Sequence, residues 1–217
     1  MDWNAFYVSI KLATVTVLIL LPVAILIARW LAWKRFKGRF LVEAAIALPL
    51  VLPPSVLGFY FLVLFNPQAP LGGWIMRVTG QTLVFSFPGL VLASLIYSLP
   101  FAVQPVLRAL EAIPVQLREA AWCSGLSCWQ SFWKIELPLA RTGVISALAL
   151  SFAHTLGEFG VVLMVGGNIP GRTRTLSVAI YDRVQAFDEA GAAAMSALLL
   201  VFSFVVVTLV YALERRQ

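Results

Sequence analysis

The chain has 217 residues, of which 61% are hydrophobic and 12% charged, with a formal net charge of +6. A soluble domain is about half apolar and about a quarter charged, so too little polar material is present to wet an outer layer. Bilayer lipid removes that need, and it turns the excess of Lys and Arg into a signal of membrane orientation rather than of a nucleic-acid partner.

The chain opens Met1-Asp2-Trp3-Asn4, without the basic stretch of a secretory signal. Five apolar stretches are long enough to cross a hydrocarbon core, which takes ~20 helical residues. They run from Phe6 to Trp33, Phe40 to Phe65, Leu83 to Val106, Leu139 to Val165 and Ala192 to Leu213. The expectation is therefore an all-α transmembrane protein, a single domain over 1–217. Pro49, Pro53 and Pro54 in the second stretch, and Pro100 and Pro105 in the third, predict kinks. Kinked helices of this kind serve either structure alone or a pathway lined by irregular backbone.

Basic residues set the orientation. Arg29, Lys34, Arg35, Lys37 and Arg39 lie around the first loop, Arg108, Arg118, Lys134 and Arg141 between spans three and four, and Arg215 and Arg216 in the tail. These are eleven of the sixteen, and an odd number of spans puts all three segments on one side. That side is cytoplasmic, which leaves the N-terminus outside and the C-terminus in the cytoplasm. Outside, Asn66 to Gln81 reads as turns. Gly166 to Gly191 contains a stripe of Leu176, Ile180, Val184 and Phe187, which predicts an interfacial amphipathic helix.

Two pairs of ionisable or polar groups stand out. His154 and Glu158 are four residues apart in the fourth span and so share a helix face. An ionised carboxylate in mid-bilayer costs about 2.5–3.5 kcal/mol, so they face protein or water, as a gate, a pathway lining or an internal strut. Arg172 and Arg174 follow that span outside, where they attract an oxyanion, dock a partner's acidic rim or remain solvated. Glu43 is placed to pair with a basic loop residue. Cys123 and Cys128, with one distant His, make no metal-site pattern and read as free thiols. No paired nucleophile and base supports an intramembrane enzyme.

The segment 107–138 is the informative one. It reads Arg118-Glu119-Ala120-Ala121, then Gly125, then Ile135-Glu136-Leu137-Pro138. Physically this is a helix, a turn at Gly125, a second helix and a proline opening the next span. Trp122, Trp129, Phe132 and Trp133 give it apolar surface, which serves either a protein interface or a seat on the bilayer. The spacing resembles the EAA motif of ABC importer permeases at Glu119, Ala120, Ala121, Gly125, Ile135, Leu137 and Pro138. The resemblance implies the type I importer permease fold, and a coupling helix at Glu119 to Gly125 that docks on a cytoplasmic ATPase. It also implies a homodimer in a bacterial inner membrane, two ATPase copies and an external substrate-binding protein.

Leu48-Pro49 and Leu52-Pro53-Pro54 before Gly58, the stretch Gly157 to Gly171, and Thr173-Arg174-Thr175-Leu176 are similar to the molybdate permease family. Sulfate permeases share much of this pattern but tend to be longer. Molybdate, or tungstate, is the implied cargo, with sulfate or an ATP-independent channel or secondary transporter as alternatives. No extra cytoplasmic regulatory tail is expected. The chain has no Gly-rich phosphate loop, so no cofactor is expected in it, and ATP and Mg would be held by the ATPase.

Overall fold

The structure is a computed structural model that describes residues 1–215, with side chains as far as 212. The side chains of the expected basic pair Arg215 and Arg216 fall outside the described residues. Every regular element among the described residues is helical.

Helix α1 (Trp3–Trp33) starts at Asp2, whose carboxylate accepts the Ala5 N–H at 3.0 Å. Its buried face repeats at helical spacing through Ala5, Ser9, Leu12, Thr16, Leu20, Ala24, Ala28 and Leu31. Small residues on this face let α5 (Phe87–Tyr97), α6 (Leu99–Glu111) and α10 (Arg141–Gly157) approach closely. Together α5 and α6 form one apolar run from Phe87 to Glu111, later in the chain than the expected 83–106. Residues 83–86 are held instead by backbone pairing: the Phe85 N–H donates to the Val165 carbonyl at 2.8 Å.

The second apolar stretch is sharply broken. Helix α2 (Arg39–Val51) and α3 (Pro54–Phe65) meet at 109°. Leu52 precedes a proline and is driven into extended backbone, φ −76° and ψ 136°, which ends α2. Pro54 then occupies the first turn of α3, where its missing N–H costs nothing.

The fourth stretch, expected as one span over 139–165, is also broken. Helix α10 stops at Gly157, Glu158 is extended, and α11 (Gly160–Gly166) starts afresh. The two interrupted elements meet where α11 packs on α3. A Cβ on Gly58 would lie 2.7 Å from the Met164 Cβ, and one on Gly160 would lie 2.6 Å from the Pro54 Cβ. The close approach of the two breaks thus depends on glycine.

Two outer segments differ from expectation. Residues 66–81 contain α4 (Pro70–Thr79), opened by Pro70 and closed by Gly80 at φ +69°. Gly72 lets it fold back on α3, since a Cβ there would sit 2.5 Å from the Phe65 carbonyl oxygen. In α12 (Leu176–Gln185) the covered face is Leu176, Val178 and Ala179, while Val184 and Phe187 of the expected stripe are exposed. Tertiary contact with Ala5 and with Met195 of α13 (Glu189–Arg215) chose that face. The Ser9 hydroxyl also accepts the Leu176 N–H at 2.7 Å.

Three helices are long and apolar enough to cross a membrane, and the count rises to five if each bent pair is one span.

Candidate functional site: the coupling segment and its anchor

Between α6 and α10 the chain forms a compact hairpin. Helix α7 (Val115–Cys123) ends in a Schellman motif. The Leu126 N–H donates to the Ala121 carbonyl and the Gly125 N–H to the Trp122 carbonyl, with Gly125 at φ +82°. The left-handed turn needs glycine there, and no neighbour lies within 4 Å of where a Cβ would stand. Ser127 and Gln130 then close a capping box on α8 (Cys128–Ser131). A π-helical turn follows over Phe132–Glu136, and a short α9 (Leu137–Leu139) leads into α10 at a 71° bend.

Glu119, Ala120, Trp122 and Gly125 lie on the open surface of this hairpin. Ala121 is buried, Ile135 and Leu137 are half-buried, and Pro138 is exposed at the start of the bend. Trp122, Trp129 and Trp133 remain exposed, whereas Phe132 is buried beneath Trp129, with ring centroids 5.2 Å apart. Cys123 and Cys128 are free and exposed.

The hairpin is fastened to α1 by a buried charge cluster absent from the motif reading. Glu136 is completely buried. Arg29 of α1 donates to it at 2.7 and 3.3 Å, and Arg118 of α7 at 3.0 Å. Arg29 also reaches the Cys128 carbonyl at 3.1 Å and lies over the Phe132 ring. Arg118 lies 3.8 Å from the Trp33 ring centroid and 4.9 Å from that of Trp122. Desolvated guanidinium groups gain from aromatic faces, so the aromatics do more than offer surface. The sequence placed Arg29 and Arg118 as loop charges. The available signal was Glu136 as the only carboxylate between Glu119 and Glu158 in the sequence.

Nearby, Arg39 bonds Glu43 at 2.7 Å and also bonds Glu111, which accepts from Arg108 at 3.0 Å. Glu43 thus pairs as its position suggested. These contacts gather Arg29, Arg39, Arg108 and Arg118 at one end of the molecule, the end assigned to the cytoplasm.

The broken fourth stretch separates His154 from Glu158, which do not share a helix face. The His154 ring lies against Phe101, with centroids 4.0 Å apart, and against Tyr97 at 4.8 Å. Its Nδ1 is 3.0 Å from the Ser98 hydroxyl, which also pairs with the Thr155 hydroxyl at 2.9 Å. Glu158 is buried and accepts the Val161 N–H at 2.9 Å, satisfying a donor in the first turn of α11. Glu158 thus caps α11 at the break, whereas His154 packs on the junction of α5 and α6.

Arg172 and Arg174 also separate. Arg174 turns inward to Asn168 at 2.5 Å, Asp182 at 3.4 Å and Asp2 at 3.7 Å. Arg172 is exposed and lines a cavity of about 610 Å³ with Lys11. Lys11 was missed in the sequence, although a lone cation inside the first apolar run was a usable signal. Among the described residues no group of three or more His, Cys, Asp or Glu could hold a metal ion.

Residues 20–217 match the family described as binding-protein-dependent transport system inner membrane component. The chain belongs to that family. Among relatives, it is 46% identical to the molybdenum transport system permease protein ModB of Azotobacter vinelandii, over 99% of this chain and 95% of that one. It is 39% identical to the protein of the same name from Escherichia coli K12, over 88% and 84%. It is 30% identical to a probable sulfate transport system permease of Zygnema circumcarinatum, over 95% and 72%. Among solved structures, a bacterial ABC transporter importing alginate shares the fold at TM-score 0.80 and 19% identity, covering 98% of this chain and 78% of that one. The inward-facing MetNI methionine ABC transporter matches at 0.79 and 17%, covering 100% and 95%. This permease is thus an inner-membrane component of a binding-protein-dependent system. An ATPase and a binding protein are its partners, and ATP hydrolysis is not its own activity.

Proposed function

We propose that this permease carries molybdate inward as a homodimer, with Glu119 to Gly125 docked on each of two ATPase subunits. The observation that carries the substrate is the 46% identity, over nearly the whole chain, to a molybdenum transport permease, against 30% to a sulfate one. Tungstate has nearly the same size and charge, so discrimination between the two lies with the external binding protein.

The coupling assignment is supported by exposure on one side and anchorage on the other. Glu119, Ala120 and Trp122 are free to enter a groove on the ATPase. Glu136 ties the same hairpin to α1, so a push on α7 reaches the spans as a rigid displacement. ATP and Mg belong to the ATPase. When the ATPase closes, the hairpins of two copies are drawn together and the pathway between them opens outward. Phe59, Tyr60, Val63 and Leu64 of α3 are uncovered and available to the second copy. The outer loop from Gly166 to Gly191, with Arg172 exposed on it, receives the binding protein. Glu158 supports the broken helix and does not hold the anion, which a carboxylate would repel, while His154 braces the junction of α5 and α6.

The test is ATPase activity of the reconstituted complex with binding protein loaded in turn with molybdate, tungstate, sulfate or phosphate. Stimulation by molybdate and tungstate alone is expected. Stimulation by sulfate or phosphate would overturn the substrate, and persistent transport without any ATPase would overturn the class. Glu119→Lys should leave a folded permease that no longer stimulates.

A further inference from the structure

Lys11 lies eight residues beyond Trp3, about 12 Å along the axis of α1 at 1.5 Å per residue. A lysine inside an apolar span is unfavourable against lipid and turns to protein or water. This one faces a cavity. The cavity lies among the first half of α1, the segment before α5 and the loop after α11, at the outer end of the molecule. Its walls carry two cations, Lys11 and Arg172, with the polar side chains of Tyr7, Gln81 and Thr82. No carboxylate lines it among the described residues.

The two cations are not held by acidic partners. Lys11 stands 4.6 Å above the Phe87 ring, and its ammonium has no salt bridge among the described residues. Arg172 has none either, in contrast to Arg174, which two aspartates neutralise. Two positive groups on one polar recess, with no counter-charge among its lining residues, focus a positive field there. A guanidinium and an ammonium are also the usual donors to tetrahedral oxyanions, one as a fork and the other as a point charge. The recess is several times larger than such an anion, so the ligand is held together with water.

We infer that Lys11 and Arg172 form a binding site for a tetrahedral oxyanion at the outer mouth of this permease. The anion comes from one of two sources: the free oxyanion delivered for transport, or the phosphate of an anionic lipid headgroup reaching the recess from the outer leaflet. The site itself rests on charge and cavity, whatever the permease transports. Its use as a receiving site for the transported anion rests on the importer reading above.

The experiment uses the full-length permease co-purified with its ATPase, nucleotide-free, in phosphatidylcholine nanodiscs. Equilibrium binding of radiolabelled molybdate and of sulfate is measured without binding protein. Wild type should bind saturably and more weakly as salt rises. Lys11→Gln and Arg172→Gln should each weaken binding by about tenfold, the loss of one charge-assisted contact, and Lys11→Arg should restore it. The thermal midpoint of Arg172→Gln should not change, because that cation supports no ion pair among the described residues, and Lys11→Gln should lose only its contact with the Phe87 ring. In a second arm the nanodiscs contain phosphatidylglycerol, and lipid retained by the complex is counted by native mass spectrometry. Lipid retained by wild type but not by the Gln variants, and displacing the oxyanion, assigns the site to headgroup phosphate. Binding of both ligands that is equal in wild type and variants, or absent in wild type, overturns the site. Molybdate-stimulated ATPase activity alongside indifferent variants would sink the site and leave the transport reading standing. Oxyanion binding here without molybdate stimulation would do the reverse.

Discussion

Replacing Glu136 is the sharpest test of how the coupling hairpin is fastened. Its carboxylate is fully buried between Arg29 and Arg118, at 2.7 and 3.0 Å. With charge centres about 4 Å apart and an effective dielectric of about 20, each attraction is about 4 kcal/mol. Desolvation of three charged groups, several kcal/mol each, offsets most of that sum, so the intact cluster contributes little net stability. Removing only the carboxylate leaves both arginines desolvated and mutually repelled. The expected loss is about 3–5 kcal/mol, with Glu136→Gln near the lower end because one acceptor oxygen survives. For a chain of this length that lowers the thermal midpoint by about 10 °C. The assay is thermal unfolding of the detergent-solubilised permease, with the triple variant Arg29→Met, Glu136→Leu, Arg118→Met as the control. The triple variant should recover most of the loss, since apolar replacement of a whole buried cluster is tolerated far better than its disruption. A Glu136→Gln protein within roughly 1 kcal/mol of wild type would refute the reasoning.

Other substitutions probe separate joints. Gly125→Ala should cost about 1–2 kcal/mol, all of it backbone strain, because the new methyl group meets no neighbour at φ +82°; chemical denaturation reads this. Gly143→Ala should cost about 1–3 kcal/mol by overpacking, since its Cβ would lie 2.6 Å from the Pro105 carbonyl oxygen, where α10 crosses α6; a wild-type melting curve would count against that crossing. Asp188, at the outer end of α13, accepts the Gly191 N–H at 2.9 Å and pairs with Arg183, which lowers its carboxyl below the ordinary range. A lowered folded value means its contribution is present above about pH 3.9 and is lost as pH falls through the folded pKa. Melting curves of Asp188→Asn and wild type should therefore differ at pH 7 and converge in acid.

The class of this protein was legible in composition, because an apolar excess has only one solvent that suits it. The turn at Gly125 was legible for a local reason: a helix end followed by a left-handed residue needs glycine whatever surrounds it. Pro49, Pro53 and Pro54 likewise announced a kink in the second stretch, although not the full break at 109°. What the sequence could not rank were contacts between residues far apart in the chain. Glu136 meets Arg29 across 107 positions, and no local pattern says which of several arginines a buried carboxylate will take. His154 and Glu158 looked like one face because periodicity assumes an unbroken helix, whereas packing of α11 on α3 and the cap on Val161 broke it. In α12 the stripe was read from spacing alone, but Ala5 and Met195 decided which side was covered. Lys11 was visible as a charge in an apolar run, and only the tertiary structure set Arg172 on the same cavity. Local backbone chemistry and solvent preference are encoded residue by residue, while the pairing of distant charges depends on which helix faces meet, and that was decided by the packing of the whole chain.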